Sequence, residues 1–221
     1  EHKSYGIDGG WFWDTTGGAG WHWRFGLGTL QDPLFGQYET GARDIDVVAY
    51  GAPYLLMMIA AGNSRKDNPL SGDPIYYWNG SGFSSTTYNP AIHPGGDGVY
   101  KSGYDTITAN AVAKNCLTVG AVNDAVLLFD GKFVRWSPSG TMSTFSGWGP
   151  TDDGRIKPDV VGNGVGLYSA HNATDSAYST SDGTSMASPI PTTSTSTRSM
   201  AAPRYQPASS TCPSTRWSRP W

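Results

Sequence analysis

Charge is what this sequence has least of: only 15% of its 221 residues are Asp, Glu, Lys or Arg, and the net charge is −3. So weak a charge, beside 38% hydrophobic residues, excludes a highly charged disordered chain and leaves apolar material for one sizeable core. The slightly acidic balance gives no electrostatic reason for a nucleic-acid partner or an anionic membrane. Long hydrophobic runs are also missing. The longest, 52–61, is about half of the roughly 18–20 residues that span a bilayer, which excludes a helical membrane protein. Cysteine is nearly absent, with only Cys116 and Cys212, so no disulfide framework is implied and neither shows the spacing of a metal site. Cys116, in the apolar run Cys116-Leu117-Thr118-Val119, reads as a small buried hydrophobe. The opening Glu1-His2-Lys3-Ser4-Tyr5-Gly6 lacks the basic-then-apolar pattern of a signal peptide.

What is plentiful is Gly (29), Pro (15), Trp (9) and Tyr (12), which predicts a turn-rich protein with short regular elements and a heavy aromatic load. Composition changes sharply near residue 190. The stretch 190–221 is rich in Ser, Thr, Pro and Arg and has no Gly, Asp, Glu, Leu, Val or Phe, so it is expected to be disordered. Residues 1–189 form the folded part. Within them, 11–23 is a Gly/Trp-rich region, and 38–50 reads as a helix capped by Thr40, striped by Ile45, Val48 and Ala49 and ended by Gly51-Ala52-Pro53. The continuous apolar run 54–60 reads as a strand in the middle of a parallel sheet covered on both faces by helices, hence an α/β fold. Residues 64–105 are polar and aperiodic and read as a loop insertion or part of a functional rim. Further strands are expected at 116–122, 127–134 and 159–161.

Chemistry concentrates in Ser181-Asp182-Gly183-Thr184-Ser185-Met186-Ala187-Ser188-Pro189. Small residues around Ser185 let its hydroxyl project from a tight turn into a helix start, where free backbone N–H groups favour developing negative charge. Read alone, such a serine is an ordinary helix cap. The run Gly183-Thr184-Ser185-Met186-Ala187-Ser188-Pro189, however, resembles the nucleophile motif of the subtilisin-like serine peptidases. Ala60-Ala61-Gly62-Asn63-Ser64 is similar to that family's oxyanion segment, whose asparagine amide donates to the tetrahedral oxyanion without bringing a net charge. Two scaffold stretches follow in the family's order. Ala113-Lys114-Asn115-Cys116-Leu117-Thr118-Val119-Gly120-Ala121 resembles the strand after the oxyanion loop. Phe145-Ser146-Gly147-Trp148-Gly149-Pro150, running on to Lys157-Pro158-Asp159-Val160-Val161, resembles the stretch before the nucleophile. Ser4-Tyr5-Gly6 stands where the family has its substrate-pairing strand, on which an extended peptide adds by backbone hydrogen bonds.

The resemblance covers 4–189 and implies a partial three-layer fold with a mainly parallel sheet between helices. It implies a serine endopeptidase in which Ser185 and Asn63 are catalytic, and Ser4, Tyr5, Gly6, Ala60, Ala61, Gly62, Gly183 and Thr184 bind substrate. The family's aspartate and histidine motifs have no counterpart in these residues, and Asp14-Thr15-Thr16-Gly17 is only an echo. His22, His93 and His171 read as packing or surface histidines, so a fragment with little turnover of its own is expected. Beyond Ser185, Ile190-Pro191-Thr192-Thr193-Ser194 replaces the family's long apolar helix, which we read as a frame change or truncation. The resemblance further implies a peptide or protein substrate, secretion and no cofactor. Structural calcium is common in the family, but no ligand loop appears, and Asp152-Asp153 reads as a solvated turn. The alternative is a non-catalytic peptide- or carbohydrate-binding module built on Trp11, Trp13, Trp21 and Trp23, or a pseudopeptidase.

Overall fold

The computed structural model describes residues 2–3, 9–15, 18–136, 138 and 140–190. In chain order these form β1 (His2–Lys3), β2 (Trp11–Asp14), β3 (Gly20–Trp23), α1 (Thr40–Gly51), β4 (Met58–Ala60), β5 (Pro74–Trp78) and β6 (Phe83–Thr87). They continue with β7 (Leu117–Val122), β8 (Val126–Phe129), β9 (Lys132–Arg135), β10 (Val160–Asn163), β11 (Leu167–Ala170), β12 (Tyr178–Ser181) and α2 (Thr184–Ala187). Short 3-10 turns lie at Ser64–Lys66, Tyr100–Gly103 and Ala109–Val112.

The first sheet, in the order β1-β4-β7-β10, is parallel throughout. The two-residue period of a strand sends alternate side chains to opposite layers. Met57, Ile59 and Ala61 pack with Ala42 and Ile45 of α1 and with Ala111 and Val112. Met58, Val119 and Ala121 pack with Phe145 and with Ala187 of α2 on the other face. This is the α/β three-layer arrangement that the family resemblance implied, with few helices. Cys116 is buried and free, while Cys212 lies outside the described residues.

The second sheet, in the order β2-β3-β5-β6, is antiparallel except where β3 meets β5. One face closes over Trp11, Trp23, Ile75 and Tyr88. The backbone entering β2 is tied down by buried carboxylates: Gly10 N donates to Asp32, and Trp11 N to Asp97. Gly10 has φ +72°, and a Cβ there would fall 2.1 Å from the Asp97 carboxylate, so only glycine permits this approach.

Several elements differ from expectation. Thr40 is the first residue of α1 and caps nothing; the N-cap is Glu39, without a side-chain bond. The buried stripe is Ala42, Ile45 and Asp46, whereas Val48 falls off its edge and is half exposed. Asp46 anchors the helix instead, accepting from Tyr38 Oη (2.6 Å) and from the backbone N–H groups of Lys114 and Asn115 (2.9 and 2.6 Å). The run 54–60 yields only the three residues of β4, because Tyr54 and Leu56 face solvent after the turn at Ala52. The expected strand 127–134 is a hairpin, β8–β9, folded at Asp130-Gly131, both with positive φ. The stretch 64–105 holds the β5–β6 hairpin, which carries the second sheet outward. Asp153 is engaged by Arg155, Lys114 and Thr151, so Asp152-Asp153 is a braced turn rather than a merely solvated one.

Candidate functional site

The predicted segments meet where the first sheet ends. At the end of β4, Ala61 N donates to Val119 O (3.0 Å), and Gly62 then turns the chain with φ +98°, a conformation that favours glycine. The turn delivers Asn63, which is exposed and precedes the Ser64–Lys66 turn. From the far end of the sequence, Gly183 (φ +154°) brings Thr184 against it. Thr184 N and Thr184 Oγ1 both donate to Asn63 Oδ1, at 2.8 and 2.9 Å, and Gly62 N donates to Thr184 Oγ1 at 3.2 Å. A backbone N–H can only donate, so these bonds fix which end of the Asn63 amide is oxygen. The Nδ2 group therefore lies on the side of the amide turned away from the Thr184 donors. Ser185 follows Thr184 directly, half-buried, at the start of α2. The structure thus brings together Asn63, Gly62, Gly183, Thr184 and Ser185, as the motif order suggests.

Burial sorts these residues. Ala61 and Thr184 are fully buried and Gly183 is buried, whereas Asn63 is exposed and Ala60, Gly62 and Ser185 are intermediate. A fully buried residue positions its neighbours and offers nothing to a ligand. Ser4, Tyr5 and Gly6 lie outside the described residues, as does Pro191.

Glycines allow the close approaches that build the floor. A Cβ on Gly147 would fall 2.6 Å from Ala61 O and 2.9 Å from Thr106 O, and Gly147 N donates to Gly62 O at 2.9 Å. A Cβ on Gly162 would meet Ala187 O at 2.8 Å, and one on Gly164 would meet Gly183 O at 2.8 Å. The motif glycine Gly147 and the β10 glycine Gly162, with Gly164 just after it, therefore seat the Asn63 turn and α2 on the sheet. Sequence reasoning gave Phe145-Ser146-Gly147-Trp148 only a scaffold role and missed that Gly147 bonds the Asn63 turn itself. Its signal was a glycine set between two aromatic residues, Phe145 and Trp148, where a small residue permits close backbone approach. Lys157-Pro158-Asp159 braces β7: the buried Lys157 pairs with Asp159 at 2.7 Å, and Asp159 accepts from Thr118 N at 2.7 Å.

Beside Asn63, Arg65 donates through Nε to Thr144 O (3.1 Å) and through Nη2 to Ser143 O (2.8 Å), with its guanidinium 4.2 Å over the Trp148 ring. Burial pulls the Arg65 pKa down, and among the described residues no carboxylate pairs with it within 4 Å.

Three of the four histidines are engaged in local structure. His22 is buried and stacked on Tyr76, with Nδ1 3.0 Å from Gly20 O. His93 Nδ1 accepts from Asn89 N, and His171 Nδ1 from Ala173 N. Of the four tryptophans proposed as an aromatic platform, Trp11 and Trp23 are buried, leaving the edge-to-face pair Trp13 and Trp21 toward the open end. Among the described residues, no three His, Cys, Asp or Glu side chains gather into a metal-binding group. None of the helices there is long and apolar enough to cross a membrane.

The chain is 33% identical over 97 residues to the serine protease AprX of Bacillus subtilis (strain 168), a match covering 38% of the chain and 20% of that protein. Among solved structures it resembles the Clostridium perfringens CspB protease, with 26% identity and a TM-score of 0.33 over 48% of this chain and 19% of that one. It also resembles the prenylagaramide maturation protease PagA, with 18% identity and a TM-score of 0.37 over 76% and 40%. The chain thus spans a fifth of AprX and less than half of either structure. The model of the subtilase family matches residues 20–209, a stretch that includes Asn63 and Ser185 and runs past residue 190, and by that match the chain belongs to the subtilase family.

Proposed function

We propose that this chain carries the nucleophile and oxyanion half of a serine endopeptidase acting on peptide or protein substrates outside the cell. One observation carries the reading: Thr184, the residue before Ser185, holds the Asn63 carbonyl oxygen, which leaves the amide Nδ2 as a donor at the same corner of the fold. In the proposed reaction Ser185 Oγ attacks the scissile carbonyl carbon while its proton passes to a base. The carbonyl π pair moves onto oxygen, and Nδ2 of Asn63 stabilises that oxyanion. Collapse of the intermediate expels the amine, which takes up the proton, and water then cleaves the acyl-enzyme. Ala61, Gly183 and Thr184 position the two segments, while Ala60 and Gly62, with Ser4-Tyr5-Gly6, serve the extended peptide. The reaction draws on no cofactor.

The base is expected from outside the matched motifs: no segment resembles the family's aspartate or histidine motifs, and three of the four histidines, His22, His93 and His171, are bound into local structure. By itself the chain is expected to retain only oxyanion and binding contributions, about 10³–10⁴ over water. Labelling with a fluorophosphonate tests this. Slow modification confined to Ser185, lost in Ser185→Ala and slower in Asn63→Ala, is the expected result. Rapid stoichiometric labelling contradicts the missing base, and labelling that survives Ser185→Ala removes the nucleophile assignment.

A further inference from the structure

A cleft of about 360 Å³ is lined by the turn that follows Asn63, through Arg65, Lys66 and Asp67, and by Gly98, Ser102 and Thr144 among others. Its wall is backbone where Gly98 packs: a Cβ there would fall 2.3 Å from Arg65 O. Arg65 is the fixed feature of this cleft. Two backbone carbonyls hold its Nε and Nη2, and its plane lies on Trp148, which is itself stacked on Tyr104 at 5.2 Å. The remaining nitrogen, Nη1, faces Gly103 and meets no acceptor among the described residues; a Cβ on Gly103 would lie 3.4 Å from it.

Arg65 is partly buried, and no carboxylate among the described residues lies within 4 Å of its guanidinium, so an incoming anion meets an unneutralised cation. Asp67 lines the same cleft but makes no ion pair with Arg65, and Lys66 adds a second cation, 5.5 Å over the Phe145 ring. The locked fork loses little rotamer freedom on binding, which suits a planar carboxylate better than a neutral amide and repels an ammonium group. Resting on the peptidase reading above, we propose that this cleft receives an Asp or Glu side chain of the substrate, and that Arg65 is the residue that selects it.

The test uses the 221-residue chain and three amidated probes, acetyl-Ala-Ala-Ala-Glu-amide and its Gln and Lys counterparts, so that no terminal carboxylate competes. Titration calorimetry should show the Glu probe binding about tenfold tighter than the Gln probe and the Lys probe weakest, with the preference shrinking as salt rises. Nitrogen-15 spectra should show the Glu probe moving the Arg65 Nε–H resonance. Arg65→Gln should abolish the preference; should that variant fail to fold, the resonance shift in the unmutated chain decides. Equal binding of Glu and Gln probes, a shift confined to other arginines, or a preference that survives in folded Arg65→Gln overturns the proposal. Ser185→Ala should leave the preference intact. The peptidase reading fails separately, through fluorophosphonate labelling that does not depend on Ser185.

Discussion

The two four-stranded sheets solve the burial problem in opposite ways. The β1-β4-β7-β10 sheet is small-residue and aliphatic, with Met58, Ile59, Val119 and Ala121 buried between two helical layers. The β2-β3-β5-β6 sheet is aromatic, closed on one face over Trp11 and Trp23, while Trp78 and Phe83 on the other are 41% and 50% exposed. The candidate site grows from the first, at close backbone approaches that glycines permit. The second contributes bulk. A site that must hold an amide within hydrogen-bond tolerance is better served by backbone packed against backbone than by large rings that can shift.

That contrast can be broken in several places. The largest effect is expected from Trp11→Ala, which empties the centre of the aromatic sheet and should cost about 3–5 kcal/mol in urea denaturation. If the aromatic sheet is only bulk, the folded fraction should still label at Ser185 with the unmutated rate. Gly147→Ala should cost less, about 1–3 kcal/mol, because its Cβ meets two backbone oxygens. Unlike Trp11→Ala, it should slow labelling in the folded protein. Gly82→Ala, with nothing within 4 Å of its added carbon, is the control that should do neither. Thr184→Val, which removes the bonds to Asn63 Oδ1 and Gly62 N made through the hydroxyl, should cost about 1–3 kcal/mol and lower the labelling rate. A rate equal to the parent would show that the hydroxyl does not orient Asn63.

The sheets should also answer pH with opposite signs. Burial drives the Asp97 carboxyl well above the usual aspartate range, outweighing the Trp11 N–H bonds, and burial raises Asp32 in the same direction. For Asp46 under α1, burial pushes up, but the Tyr38 hydroxyl and the backbone N–H groups of Asn115 and Lys114 outweigh it and leave its pKa lowered. A raised acid holds its proton more tightly in the folded state, so its contribution to stability grows as pH falls from neutral toward the unfolded aspartate value, about 4. A lowered acid contributes above that value and loses its contribution as pH drops below it. Amide protection factors, which divide out the intrinsic pH dependence of exchange, should therefore rise around β2 on acidification toward about pH 4 and fall in α1 below it. The same sign in both regions would defeat this account. The smallest effect is expected from Trp13→Ala, within about 0.5 kcal/mol by the same denaturation, because that ring is already 56% exposed.

The aliphatic half of the fold was readable because strand and helix periods repeat in it: 38–50 closely anticipates α1, and the runs holding β4, β7 and β10 were all identified. The pairing of the Asn63 and Ser185 segments followed from motif order. The hold of Thr184 on the amide did not, since one hydroxyl within a seven-residue motif has no period. The aromatic half was harder. Tyr76-Tyr77-Trp78 and Phe83-Ser84-Ser85 are short, and among Ser, Thr and Gly they dissolve into a polar stretch; they become strands by pairing with each other and, for the first, with β3. The β8–β9 hairpin was legible and overlooked, because Asp-Gly between apolar runs is a strong hairpin signal.

The bond from Thr184 to Asn63 closes a loop of 121 residues. Contacts so distant in sequence form late, after the chain between them has collapsed. During synthesis the asparagine emerges long before the threonine that fixes its orientation, so the growing chain holds an unaligned amide until its last strand and α2 have docked. Assembly order thereby delays completion of the candidate site until the last described elements have docked.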